Sequence, residues 1–181
     1  MQRMLVRAVW LNGTVGAGKT TVGEVLAEHL ANAGESVAFV NIDDLGTAWP
    51  RPPADPFNVT LVTQNLGALA SNYQAAGART IVVAGVVQTQ DQLDGYATAL
   101  GIAPRVVRLV ASPKEVERRL HRRHGERDDA GLRWHLARAP ELNDVLDNAD
   151  LPMTAVENSG PPLETAQAVL EAIGWPLVTP R

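Results

Sequence analysis

The chain of 181 residues contains no cysteine, which excludes disulfide staples and thiolate sites for zinc or iron–sulfur clusters. No apolar run approaches the roughly 20 residues of a membrane span, and Met1-Gln2-Arg3-Met4 runs into an apolar strand pattern without the hydrophobic stretch of a secretory signal. The expectation is a cytoplasmic protein with no membrane partner, acting as a monomer or homodimer. Sixteen basic residues against 20 acidic ones leave a net charge of −4, so no broadly basic surface invites nucleic acid, and none is expected as a partner. The serines lack a G-x-S-x-G elbow. His29, His121, His124 and His135 have no metal-ligand spacing and read as surface or lid residues. Lysine is also scarce: Lys19 and Lys114 stand alone among arginines. At 45% hydrophobic residues, the chain suits one domain spanning residues 1–181 with its own core.

One of those two lysines closes Gly13-Thr14-Val15-Gly16-Ala17-Gly18-Lys19-Thr20, a match to G-x-x-x-x-G-K-[ST], the phosphate-binding P-loop. An apolar stretch ending at Leu11 precedes it, as a buried strand should. Val22, Val25, Leu26 and Leu30 follow at helical spacing. Glycines at 13, 16 and 18 permit the backbone angles that turn N–H groups inward around an anion. The first helical turn, Lys19, Thr20 and Thr21, adds free N–H groups and the positive end of a dipole. In such a loop the Lys19 ammonium reaches the terminal phosphates and the Thr20 hydroxyl is a ligand to Mg²⁺.

The rest of the chain alternates strand and helix signals. Apolar strands are expected over residues 36–42, 79–87, 105–110 and 153–156. Helices are expected from the P-loop to Gly34, then over 59–76, 90–100, from Ser112 into the arginine cluster, 129–146 and 163–173. In the 129–146 helix Leu132, Leu136, Leu142 and Val145 are expected to face inward. Ser112-Pro113-Lys114-Glu115 reads as a capping box with proline at the first helical position. This alternation predicts a three-layer α/β fold with a parallel sheet, helices on both faces and right-handed crossovers.

In an open α/β sheet, ligands sit beyond the carboxyl ends of the strands. The P-loop lies there, and so does the pair Asp43-Asp44 after the second strand. One of these carboxylates is expected to accept the proton of an attacking hydroxyl or to hold Mg²⁺, with Asp43 the leading candidate. The proline-rich stretch 46–58, carrying Trp49, Arg51 and Phe57, reads either as a cover over a small molecule or as a stiff connector. Arg118-Arg119-Leu120-His121-Arg122-Arg123 is the densest positive cluster in an acidic chain. It is expected to lead into a small lid, about residues 123–131, that brings charge to a transferring phosphoryl, with Arg122 as the catalytic candidate.

These features together resemble the P-loop small-molecule kinases, the group of shikimate kinase, gluconate kinase, adenylylsulfate kinase and chloramphenicol phosphotransferase. The resemblance implies a five-stranded parallel sheet in the order 2-3-1-4-5, ATP as donor, Mg²⁺ as cofactor and a small-molecule acceptor. It implies that Asp43 lies near the acceptor hydroxyl and that Arg118, Arg119, Arg122 and Arg123 contact adenine and phosphates. It also implies that the turn from Asn158 through Gly160 to Pro162 flanks the base. The chain departs from the shikimate pattern, with Asn41-Ile42-Asp43 in place of Asp-x-Asp and Gly85 alone in place of a glycine run. Gln88, rather than an aspartate, follows the third strand, which leaves Thr20 and Asp43 to hold the metal. Two other readings are an ATP-binding module without an acceptor and a small GTPase. Asp43-Asp44-Leu45-Gly46 fits D-x-x-G, but no N-K-x-D guanine-reading motif accompanies it.

Overall fold

In the computed structural model, which describes residues 7–125 and 130–176, five parallel strands lie in the order β2-β3-β1-β4-β5. These are β1 (Arg7–Asn12), β2 (Val37–Asn41), β3 (Thr80–Ala84), β4 (Arg105–Val110) and β5 (Met153–Glu157). The helices between them are α1 (Lys19–Asn32), α2 (Val59–Ala75), α3 (Gln90–Leu100), α4 (Pro113–His124), α5 (Ala130–Asp147) and α6 (Pro162–Ala172). The expected P-loop NTPase fold, with its strand order, is therefore present. Residues 126–129 of the expected lid lie outside the described residues.

Strand position follows from burial on two faces. β3, Thr-Ile-Val-Val-Ala, is buried at every residue, whereas β2 alternates between half-buried and buried and takes the sheet edge. Alternation along β1 divides the core. Ala8 and Trp10 join Ile81, Val83, Leu66 and Leu100 beneath α2 and α3. Val9 and Leu11 join Val107, Leu26 and Leu170 beneath α1 and α6.

Two expectations change. The third strand ends at Ala84, three residues before the predicted Val87. Side chains of β1 take over from the ladder there: Trp10 Nε1 donates to the Gly85 carbonyl at 2.9 Å, and Asn12 Nδ2 donates to the Val87 carbonyl at 2.8 Å. Gly85 passes so close to Ile42 that a Cβ would stand 2.6 Å from the Ile42 Cβ. In α5, Val145 is 40% exposed and Leu146 is buried in its place. At about 100° per residue, Leu146 falls at the centre of the stripe set by Leu132, Ala139 and Leu142, and Val145 falls roughly a right angle away. Among the described residues, no helix is long and apolar enough to cross a membrane.

Candidate active site

The P-loop leaves β1 through Asn12, which is fully buried. Its Oδ1 accepts the Gly13 N–H at 2.8 Å and the Val87 N–H at 3.2 Å, so one side chain joins the loop's start to the segment that follows β3. A polar residue closing an apolar strand is a signal that could have been read in the sequence. Gly18 caps α1 at φ +91°, and a Cβ there would lie 2.5 Å from Asn158 Nδ2. Only glycine admits both that angle and that neighbour.

Lys19 Nζ donates to the carbonyls of Gly13 at 2.9 Å and Thr14 at 3.0 Å, spanning the loop. Desolvation lowers its pKa from 10.5 to about 8; the Asp43 carboxylate opposes this and the Arg123 charge adds to it. Thr20 and Thr21 line the same cavity, as do Val15, Gly16 and Gly18. Gly13, Thr14 and Ala17 instead lie buried behind the loop. The Thr14 hydroxyl donates to the Ala139 carbonyl at 2.6 Å, which ties the loop to α5. The Ala17 carbonyl accepts from Asn158 Nδ2 at 2.7 Å and from Arg119 Nη1 at 3.2 Å.

The cavity measures about 820 Å³ and runs from this loop past the carboxyl ends of β2 and β3. The second strand stops at Asn41, and Ile42–Asp44 forms one turn of 3₁₀ helix. Strand alternation therefore does not choose between the two aspartates. The turn places Asp43 in the cavity wall, while Asp44 accepts from Asn41 Nδ2 at 3.0 Å outside it. From the 46–58 connection, Arg51 and Phe57 line the cavity and Trp49 does not. Asp55 shapes this connection, accepting the Val59 and Thr60 N–H groups at 2.7 and 3.0 Å. Those bonds hold its carboxyl below the usual range.

All four arginines of α4 reach the cavity, but with different engagements. Glu115, unmentioned as a partner in the sequence reading, organises two of them. Its carboxylate accepts from Arg118 Nε and Nη2 at 2.8 and 2.6 Å and from Arg119 Nε at 2.7 Å. These bonds hold it at a pKa of about 2. The capping box is thus half formed: Ser112 Oγ accepts the Glu115 N–H at 3.2 Å, but the carboxylate turns to the arginines instead. Spacing of i,i+3 and i,i+4 was the available clue. Arg119 also donates through Nη2 to the Asn158 carbonyl at 2.8 Å, and the Asn158 Oδ1 accepts from Thr165 at 2.9 Å. Arg119 and Asn158 together therefore brace the P-loop from α4 and from the β5–α6 turn. That turn also brings Gly160 to the cavity. Arg122 and Arg123 have no ion-pair partner among the described residues. From α5, Trp134 and Arg138 enter the wall; the sequence reading missed both, because nothing local says which side of α5 meets the sheet's end.

The oxygen donors present suit Mg²⁺. Thr20 offers a hydroxyl and Asp43 a carboxylate, both hard ligands. Among the described residues, no group of three or more His, Cys, Asp or Glu converges as a metal site. An ion that keeps several waters and takes phosphate oxygens needs no larger protein set.

Residues 9–139 match the family described as AAA domain. No curated protein matches the sequence. Among solved structures, a tunicamycin resistance protein from Deinococcus radiodurans is 19% identical with a TM-score of 0.65, covering 97% of this chain and 99% of that one. A gluconokinase from Sinorhizobium meliloti 1021 is 20% identical with a TM-score of 0.63, covering 96% and 94%. A shikimate kinase from Acinetobacter baumannii, solved in complex with shikimate, is 21% identical with a TM-score of 0.56, covering 94% of each chain. The resemblance to P-loop small-molecule kinases thus holds at the level of fold.

Proposed function

The chain belongs to the AAA domain family, and from that premise we propose that it is an ATP-dependent phosphotransferase acting on a hydroxyl of a small molecule. The observation that carries this reading is the sharing of one cavity by three kinds of group: the Lys19 ammonium, the Asp43 carboxylate, and the cations Arg122 and Arg123, which have no ion-pair partner among the described residues. A phosphate cradle alone would suit any nucleotide-binding protein. A carboxylate across from it, in a cavity with room beyond the phosphates, suits transfer to a second molecule.

The P-loop amides and Lys19 hold the phosphate tail. Asp43 accepts the proton of the acceptor hydroxyl as its oxygen bonds to the γ-phosphorus. The bond from that phosphorus to the β-bridging oxygen breaks, and ADP leaves carrying the electron pair. Arg122 and Arg123 balance charge on the transferring group, and Arg122 is the catalytic candidate among them. Arg118 and the Asn158–Gly160 turn lie beside the nucleotide, and Arg119 acts on it through the loop that it braces. Mg²⁺ would be held by Thr20 and, through water, by Asp43, and would supply charge neutralisation for the polyphosphate.

A coupled ADP-release assay over a panel of alcohols tests the reading. Slow ATP hydrolysis should rise with the right acceptor. Lys19→Ala should lower turnover by on the order of 10²–10³-fold or more. Asp43→Asn should abolish transfer while ATP still binds. Hydrolysis that no acceptor raises, with Asp43→Asn behaving as wild type, would favour an ATP-binding module without an acceptor.

A further inference from the structure

Two bonds set Thr14 between the phosphate grip and the far wall of the cavity. Its carbonyl accepts from Lys19 Nζ at 3.0 Å, and its hydroxyl donates to the Ala139 carbonyl of α5 at 2.6 Å. The residue is 6% exposed and lies behind the loop, away from the cavity lining. Apolar contacts follow the same path. Val15 packs against the small core of Val116, Leu120, Leu132 and Ala139, and a Cβ on Gly16 would stand 3.0 Å from Val116 Cγ1.

The helix that Thr14 reaches divides at the point of contact. Pro140 has no N–H to give to the Leu136 carbonyl, so the helical ladder lacks a rung there. Beyond Pro140, α5 is pinned to the sheet. Leu142 and Leu146 are buried, and Arg108 of β4 holds Asp147 Oδ1 at 2.8 Å and Asn143 Oδ1 at 3.0 Å. Before Pro140 come Trp134, His135 and Arg138, which line the cavity. Leu132 of this first half packs with Leu120 of α4, the helix that carries Arg122 and Arg123. The Thr14 hydroxyl therefore meets α5 at the junction between its pinned half and its cavity-lining half.

We infer that Thr14 is a positioning residue whose hydroxyl carries occupancy of the phosphate loop to the α5 side chains across the cavity. The inference rests on the phosphotransferase reading. A bound phosphate engages the N–H groups of the loop and draws the Lys19 ammonium from the Thr14 carbonyl. The ligand then fixes the loop, and the Thr14–Ala139 bond fixes the first half of α5 with it. Order gained at one end lowers the cost of ordering the other, a coupling that runs in both directions. Donor and acceptor are held in register without Thr14 touching either.

Backbone hydrogen exchange tests this, measured with and without a saturating magnesium complex of a non-hydrolysable ATP analogue. In the wild-type protein, amides of residues 15–20 and of residues 131–139 should both exchange at least about threefold more slowly in the complex. Thr14→Val and Thr14→Ala remove the hydroxyl with and without the branched shape. In both, the loop should still be protected and the slowing over residues 131–139 should disappear. Thr14→Ser keeps the hydroxyl and should keep the slowing. In slow ATP hydrolysis, Thr14→Val should lower kcat about tenfold with a smaller change in the KM for ATP, and Thr14→Ser should recover most of the loss. A protected loop with unchanged exchange over residues 131–139 in the wild type would overturn the inference and leave phosphotransfer standing. So would an α5 response that survives loss of the hydroxyl, or a Thr14→Ser protein no better than Thr14→Val. Failure of folded wild-type protein to bind the analogue would instead remove the phosphotransferase reading itself.

Discussion

Nucleotide binding should draw a proton from solution, in an amount set by Lys19. The lysine titrates at about 8 because its ammonium is desolvated within the loop; the Asp43 carboxylate offsets part of this and the Arg123 charge adds to it. A polyphosphate beside the ammonium favours the charged form, so the complex keeps its proton well above that pH. The free protein carries the proton in about 90% of molecules at pH 7 and about 10% at pH 9. Uptake should therefore rise from about 0.1 proton per nucleotide at pH 7 to about 0.9 at pH 9. The complex binds more protons than the free protein, so affinity falls as pH rises, by about tenfold over this interval. Titration calorimetry with a magnesium complex of a non-hydrolysable ATP analogue, repeated in two buffers of different ionisation enthalpy, reads the uptake directly. Lys19→Arg keeps a charge that does not titrate in this range, so its uptake at pH 9 should be near zero. A wild-type heat at pH 9 that does not depend on the buffer would refute both the depressed ammonium and its place beside the phosphates.

Three further outcomes are expected. Gly18→Ala must hold a side chain at φ +91° against Asn158; a left-handed angle costs about 1–2 kcal/mol, so Tm should fall by about 2–8 °C and calorimetry should find ATP affinity down at least tenfold. Glu115→Gln should lower Tm at neutral pH by loosening Arg118 and Arg119. The Glu115 carboxyl is depressed from 4.5 to about 2, so the stability it adds is full above pH 4.5 and lost as pH falls toward 2, and melts of variant and wild type should converge there. In urea denaturation, Leu146→Ala should cost about 2–5 kcal/mol and Val145→Ala no more than about 0.5 kcal/mol; the reverse order would contradict the observed phase of α5.

Short-range regularities made much of this protein legible before its structure. A glycine loop between an apolar strand and an amphipathic helix is a local object, because backbone angles at Gly13, Gly16 and Gly18 and the spacing of Val22, Leu26 and Leu30 need nothing distant. The same holds for Ser112 at the start of α4 and for the double-sided apolar run of β3. The strand order 2-3-1-4-5 came with the family resemblance, since periodicity alone says which segments are strands but not which are neighbours.

What only the tertiary structure decided were contacts between residues far apart in sequence. The Asn158 brace on Ala17 spans 141 positions, and that of Arg119 on the same carbonyl spans 102. That Asp43 and not Asp44 lines the cavity came from a 3₁₀ turn that ends the strand's alternation. Trp134 and Arg138 entered the cavity because α5 packs with Leu146 inward. Local sequence sets backbone angle and face, and these are decided within a few residues. A site at the end of a parallel sheet is assembled by loops that return from different crossovers, and which of their side chains meet is settled only when the layers have packed.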